Sequence, residues 1–257
     1  MRIDGKVVLI TGASEGIGAA CAAEFGAAGA KLSLTARSKT GLEAAAGGKA
    51  LITPGDLTDD AVRRKVVERT LERYGTIDIL INNAATGFYL PSWSDSMEHT
   101  RRMMELNFFA LLGLTQLVVP HMRERRSGMI VNVGSIAGKL TLPWMTLYSA
   151  SKSAVGSFTE GLRMELQRDG VRAMLVCPGY VTTGFQKNVI AGQAPPKVQR
   201  GRRFAITPER CATDMRRGVE RDARTVMTPA IGWSLVFLNR LFPSIVQNRM
   251  AEMNETA

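Results

Sequence analysis

Apolar residues along this chain fall into short β-branched runs separated by longer stretches with helical spacing. The runs Lys6–Thr11, Ala30–Ala36, Lys49–Thr53, Ile77–Asn82, Met129–Gly134, Val171–Cys177 and Thr225–Met227 read as strands. Some are apolar without alternation, Val7-Val8-Leu9-Ile10 for instance, which marks strands covered on both faces. Between them, Gly16–Ala28, Asp59–Tyr74, Ser96–Arg125, Tyr148–Arg168 and Pro208–Arg221 read as helices. This alternation predicts an α/β fold, a doubly wound parallel sheet of about seven strands with helices on both faces. Ligands then bind beyond the carboxyl ends of the strands, where the strand order reverses. No linker or repeat divides the chain, so residues 1–257 read as one domain.

The pattern changes over residues 183–257, which read as a substrate loop followed by a cap or interface region. Pro229–Leu238 is strongly apolar but too short to span a bilayer. A helix covering the pocket, or buried between subunits, accounts for it best. Flanking bases and Trp233 leave a monotopic membrane contact as the lesser reading.

Composition adds little to this frame. A hydrophobic fraction of 45% is ordinary for a globular protein. Three widely spaced cysteines, Cys21, Cys177 and Cys211, form neither a disulfide framework nor a metal motif. With no signal-peptide features at Met1–Lys6, a reducing, cytoplasmic setting is expected and no metal. Net charge is +10, and +6 of it falls between Gln186 and Arg224. A solvated helical surface explains this, with attraction of acidic partners such as an acyl carrier or coenzyme A thioester as the sharper alternative. No nucleic-acid-reading module accompanies the charge, so no nucleic acid is expected.

The first strand leads directly into Thr11-Gly12-Ala13-Ser14-Glu15-Gly16-Ile17-Gly18. Glycines between a strand and a helix let the backbone approach a pyrophosphate, and the helix N-terminus offers free N–H groups and partial positive charge. Gly12, Ser14, Glu15, Gly16, Ile17 and Gly18 are therefore candidate dinucleotide contacts. The second strand ends Thr35-Ala36-Arg37-Ser38. A carboxylate at its end would select the ribose hydroxyls of NAD(H). Ala36 removes it, and Arg37 with Ser38 suits the 2′-phosphate of NADP(H), leaving NAD(H) the less favoured cofactor. Glu15 argues the other way, since a base there would help hold that phosphate.

Further motifs follow: Gly55-Asp56-Leu57, Asn82-Asn83-Ala84-Ala85, Asn107, Ser135, Tyr148-x-x-x-Lys152 and Pro178-Gly179-Tyr180-Val181-Thr182. In this order they resemble the short-chain dehydrogenase/reductase family, over about Lys6 to Thr183, and so imply a Rossmann-like fold. The resemblance implies that Asp56 and Leu57 sit beside the adenine, and that Asn83 and Ala84 line the adenosine ribose side. It also places Val181 and Thr182 at the nicotinamide carboxamide, makes Pro178 and Gly179 cofactor contacts, and has Asn107 hold a water in a proton relay through its helix backbone. A homodimer or homotetramer is implied, paired through the Ser96–Arg125 and Tyr148–Arg168 helices. Two departures stand out. Ala85 replaces the family's usual glycine, and the stretch between Arg37 and Asp56 is short where the family has a fuller helix.

Tyr148 and Lys152 are four residues apart and share a helix face. An ammonium favours the phenolate, so Tyr148 can exchange a proton with an alcohol or carbonyl oxygen. Lys152 would also bond the nicotinamide ribose, and Ser135 would bond the substrate oxygen. Such a pair alone recurs by chance on helix surfaces; downstream of a phosphate turn and beside Ser135 and Asn107 it reads as a catalytic centre. His99 and His121 read as surface positions, and Met103, Met104, Leu106, Phe108 and Leu111 as core or interface. The expected function is NADP(H)-dependent hydride transfer to or from a ketone/secondary alcohol pair, a 3-oxoacyl thioester, steroid-like or other lipophilic carbonyl. The alternative is a non-catalytic NADP(H)-binding regulator, which would have no use for the Tyr-Lys pair.

Overall fold

Val8, Leu9 and Ile10 have no solvent exposure and Val7 only 2%, because they form an inner strand of the sheet. The computed structural model describes residues 1–94, 96–193 and 205–252. Its strands are β1 (Val7–Thr11), β2 (Lys31–Ala36), β3 (Leu51–Pro54), β4 (Ile79–Asn82), β5 (Gly128–Val133), β6 (Val171–Pro178) and β7 (Thr225–Thr228). They form one parallel sheet in the order β3-β2-β1-β4-β5-β6-β7. The expected fold class is thus observed. The chain winds outward from β1 through β2 to β3, then returns to lay β4 on the other side of β1. That reversal opens a crevice beyond Thr11 and Asn82, where such sheets bind ligands.

Successive strand side chains point to opposite faces, and each face has its own helical cover. On one side Val8, Ile10, Leu34, Ile81 and Val131 pack against α1 (Gly16–Ala27), α2 (Lys39–Ala46) and a later helix, Pro208–Glu220. On the other, Leu9, Leu80 and Ile130 pack against α3 (Asp60–Tyr74), α5 (Ala110–Glu124) and α6 (Thr146–Glu165). A polar seam crosses this second layer. Asn82 Nδ2 donates to Asn132 Oδ1 at 2.9 Å, and Asn132 Nδ2 donates to Thr159 Oγ1 at 2.9 Å. It joins β4, β5 and α6 beneath the crevice.

Two elements differ from the sequence expectation. The helix expected over Ser96–Arg125 is α4 (Met97–Met104), one wide π turn (Glu105–Phe109) and α5. The run Met97–Glu124 is long and apolar enough to cross a membrane, but Met103, Leu111, Leu114, Val118 and Met122 spend its apolar face on the core. The short α2 carried little periodicity, since Leu42 is its one large buried anchor; the Ser38 hydroxyl caps it, accepting from Gly41 N–H at 3.1 Å. Gly41 also lets it approach the phosphate turn, since a Cβ there would lie 2.8 Å from Ser14 Cβ.

After β7 come α8 (Gly232–Leu241) and α9 (Pro243–Glu252), with the Pro208–Glu220 helix now numbered α7. Val236 and Val246 anchor the pair, while Trp233, Phe237, Leu238, Leu241, Phe242 and Ile245 are exposed. In the basic stretch, Arg210 pairs with Asp214, and Arg216 with Glu24 and Glu220. Its Lys197, Arg200, Arg202 and Arg203 lie outside the described residues.

The seam yields a stability prediction. Asn132→Ala takes the acceptor from the Asn82 amide and a donor from Thr159 in a region without solvent exposure. Urea denaturation is expected to show a loss of about 2–3 kcal/mol, the cost of stranding buried polar groups; a loss below about 0.5 kcal/mol would show that the seam does not contribute.

Candidate active site

The crevice is a continuous cleft of about 930 Å³. Gly12 and Gly16 have φ of +62° and +55°, and a Cβ on Gly18 would stand 2.1 Å from the Gly12 carbonyl oxygen. Only glycine fits that packing. Glu15 is the N-cap of α1 but places no side-chain hydrogen bond on the helix. The turn therefore keeps its N-terminal N–H groups for an anion, and Ser14, Gly16 and Ile17 line the cleft beside it. The Glu15 carboxylate instead accepts a hydrogen bond from Asn188 Nδ2.

Asn83 and Ala84 also line the cleft, but the structure gives Asn83 a more specific task. Its Nδ2 donates to the carbonyls of Thr11 and Gly12 at 2.9 and 3.2 Å. Thr11 Oγ1 accepts the N–H groups of Asn83 and Ala84 at 2.9 and 3.0 Å. Thr11 was missed in the sequence, where it read as the last residue of an apolar strand.

At the far end Arg37 and Ser38 are exposed, and both line the cleft with Asp56 and Leu57. Burial works against ionisation of Asp56, but hydrogen bonds from the Thr58 N–H and hydroxyl, with Arg37 and Arg102, bring its pKa below the ordinary value. Arg102 comes from α4 and carries no motif. Only its placement one helical turn before Leu106, which also lines the cleft, relates it to this site.

The reacting groups converge at the other end. Ser135 follows β5, caps a short turn by accepting from Ala137 N–H at 3.1 Å, and hydrogen-bonds Tyr148. Lys152 is buried one turn along α6; its Nζ lies 5.8 Å from the Tyr148 ring centre and donates to the Val133 carbonyl at 2.9 Å. Asn107 sits in the π turn, a form that recurs at functional sites. Its Oδ1 accepts from Thr86 N–H at 2.8 Å, and its Nδ2 donates to the Thr86 carbonyl at 2.9 Å and to Ser151 Oγ at 3.1 Å. The side chain thus pins the segment after β4 to α6.

The electrostatics differ in one respect from the expectation of an ammonium-lowered tyrosine. Burial raises the Tyr148 pKa, and the Ser135 hydrogen bond only partly offsets it. Burial also lowers Lys152 to about 8. Tyr148 is thereby held as the neutral phenol, ready to donate to a carbonyl oxygen that Ser135 also bonds.

Pro178, Gly179, Val181 and Thr182 line the cleft beyond β6. Ile206 pins them, accepting from Thr182 N–H at 3.0 Å and donating to the Tyr180 carbonyl at 2.9 Å. The remaining wall is apolar: Tyr89 and Met145 pack with Leu142, Tyr148, Phe185 and Val189. Apart from Tyr148, these residues come from three separate segments and have no common spacing, so sequence reading did not find them. Ala85 also lines the cleft, in place of the glycine that the family resemblance led one to expect.

The residues fit a nicotinamide dinucleotide: a glycine turn with an uncapped helix N-terminus, cations at the second-strand end, and a buried ammonium beside the tyrosine. Such a cofactor, when bound, supplies or accepts the hydride. The chain's own part would then be to hold the substrate oxygen between Ser135 and Tyr148 and to pass one proton at the Tyr148 oxygen.

Lys152 yields a pH prediction. With its pKa lowered to about 8 from an ordinary 10.5, the folded chain binds fewer protons than the unfolded one between these values. Stability therefore rises with pH across that window, and the full penalty of the buried ammonium is present below it. Lys152→Met is expected to abolish turnover and to raise the unfolding free energy at pH 7, and with it the thermal midpoint, by at most about 3 kcal/mol less the lost Val133 bond. The stabilisation should vanish by pH 10.5; a variant less stable than the parent at pH 7 would refute the argument.

Comparison with known proteins agrees with this geometry. A family description, short chain dehydrogenase, matches residues 6–194. "Dehydrogenase/reductase SDR family protein 7-like" of Anopheles gambiae is 33% identical, over 99% of this chain and 86% of that protein. A short-chain dehydrogenase/reductase from Burkholderia phymatum in complex with NAD superposes with a TM-score of 0.86 at 28% identity, over 95% of this chain and 96% of that one. A short chain dehydrogenase from Burkholderia cenocepacia in complex with NADP gives 0.81 at 29%, over 97% and 99%. With the glycine turn, Ser135, Tyr148 and Lys152 gathered in one cleft and Asn107 buried behind it, the chain belongs to the short-chain dehydrogenase/reductase family of oxidoreductases, acting on CH–OH/C=O groups.

Proposed function

We propose that the protein is an NADP(H)-dependent reductase of a lipophilic ketone, such as a 3-oxoacyl thioester or steroid-like carbonyl. The cofactor preference rests on one observation: β2 ends in Ala36 with no carboxylate, and Arg37 and Ser38 follow it on the cleft rim. A guanidinium there can bond a 2′-phosphate bidentately, and the Ser38 hydroxyl, which accepts the α2 cap bond, can donate its proton to the phosphate with Thr40 as the donor of the bond they share. The apolar wall of Tyr89, Leu142, Met145, Phe185 and Val189 supports the substrate class. Three free, buried cysteines accord with a cytoplasmic setting.

The decisive measurement is a carbonyl and alcohol panel followed at 340 nm with NADPH and NADH. Arg37→Ala is expected to raise the NADPH Michaelis constant about ten- to a hundredfold and leave that for NADH nearly unchanged. Tyr148→Phe should abolish turnover, which separates an enzyme from a cofactor-binding regulator. An unchanged NADPH constant in Arg37→Ala would sink the cofactor assignment.

The same reading makes the protein a homo-oligomer, with α8 and α9 as cap or interface. Phe109 and Met164, on the helices that the family resemblance pairs across subunits, are exposed, as are Phe237, Leu241 and Ile245. Phe237→Ser with Leu241→Ser is expected to lower the mass measured by light scattering, or else the catalytic efficiency for lipophilic substrates. Parental values for both would remove this segment from either role.

A further inference from the structure

The exposed carboxylate of Glu15 sits in the phosphate turn, where it should oppose binding of an anionic cofactor, and the mechanism makes no use of it. An N-cap carboxylate ordinarily accepts an N–H from the first turn of its own helix. Glu15 has the extended backbone of such a cap, φ −161° and ψ 174°, without the bond. One carboxylate oxygen instead accepts from Asn188 Nδ2, 173 residues away. The other faces Gly184, where a Cβ would lie 2.7 Å from Glu15 Oε2.

Asn188 belongs to a strap, Gly184–Gly192, that is bonded repeatedly to the segment after β4. Thr86 Oγ1 donates to the Asn188 carbonyl at 3.0 Å, Ile190 N–H to the Gly87 carbonyl at 2.8 Å, and Tyr89 N–H to the Ala191 carbonyl at 3.0 Å. Residues Gly184–Ile190 and Glu15–Ile17 line the same cleft. The strap is therefore tied to the β4 side along its length, and Glu15 ties it to the phosphate turn. It also carries Phe185, whose ring meets Tyr148 edge-on at 5.7 Å and whose carbonyl accepts from Asn188 N–H at 3.1 Å.

We infer that Glu15 and Asn188 form a latch that closes the strap over the dinucleotide groove, making Glu15 a positioning residue that governs cofactor release and the seating of Phe185 on Tyr148. This rests on the NADP(H) reading above only for the identity of the nucleotide. The latch explains why a carboxylate is tolerated in the turn: bonded to the strap, it leaves the helix N–H groups to the pyrophosphate.

Two readouts test it. Stopped-flow fluorescence should show NADPH leaving Glu15→Ala and Asn188→Ala about fivefold faster than the parent, the effect of one exposed hydrogen bond to a charged group. The double variant should be no faster than either single one, because the latch is a single bond. In the cofactor-free protein, tryptic cleavage after the exposed Lys187 should accelerate in the same three variants at unchanged melting temperature. Asn188→Asp, which sets two carboxylates face to face, should open the strap furthest. Parental rates in both assays, or additive effects in the double variant, would overturn the latch. Failure of the parent protein to bind NADPH would instead count against the cofactor assignment, and cleavage after Lys187 would still decide the latch.

Discussion

The Thr11 hydroxyl holds the crevice open in the right place. It accepts the N–H groups of Asn83 and Ala84, while the Asn83 amide returns two bonds to the carbonyls of Thr11 and Gly12. The carboxyl ends of β1 and β4 are thereby joined where the winding reverses, and every functional group is measured from that joint. The phosphate turn leaves it on one side. The segment carrying Thr86 and Tyr89 leaves it on the other. Backbone groups at a strand end have lost their ladder partners, and polar groups left unpaired there would be costly.

A second constraint orders the reacting end. A regular helix through Asn107 would not need the wide turn at Glu105–Phe109; with it, the Asn107 amide reaches both the Thr86 backbone and Ser151 on α6. Three elements that share no local sequence are locked together within one helical turn of Tyr148, since Ser151 also donates to the Tyr148 carbonyl at 2.7 Å. The site is expensive to maintain, for it buries an ammonium beside a phenol. Proteins commonly accept lower stability where function needs strained or desolvated groups.

Strands, their order of appearance and the glycine turn were legible because each depends on local rules: apolar run length, β-branching, and the backbone freedom of glycine. Tyr148 and Lys152 were legible because helical spacing alone puts them on one face. Boundaries shifted by a residue or two, and α2 was missed because one buried leucine leaves no period to detect. The break in the Ser96–Arg125 helix was invisible for another reason: its cause, the Thr86 backbone, is 21 residues away in sequence.

By itself, then, the sequence determined the sheet, the phosphate turn and the identity of the acid and its lysine, since these follow from short-range periodicity and residue chemistry. Tertiary structure alone decided the burial that raises the Tyr148 pKa, the pinning role of Asn83 and Asn107, the apolar wall built from Tyr89, Met145 and Phe185, and the turning of Glu15 away from its own helix toward Asn188. Each of these depends on burial or on contact between residues far apart in the chain, and no local pattern encodes such distances.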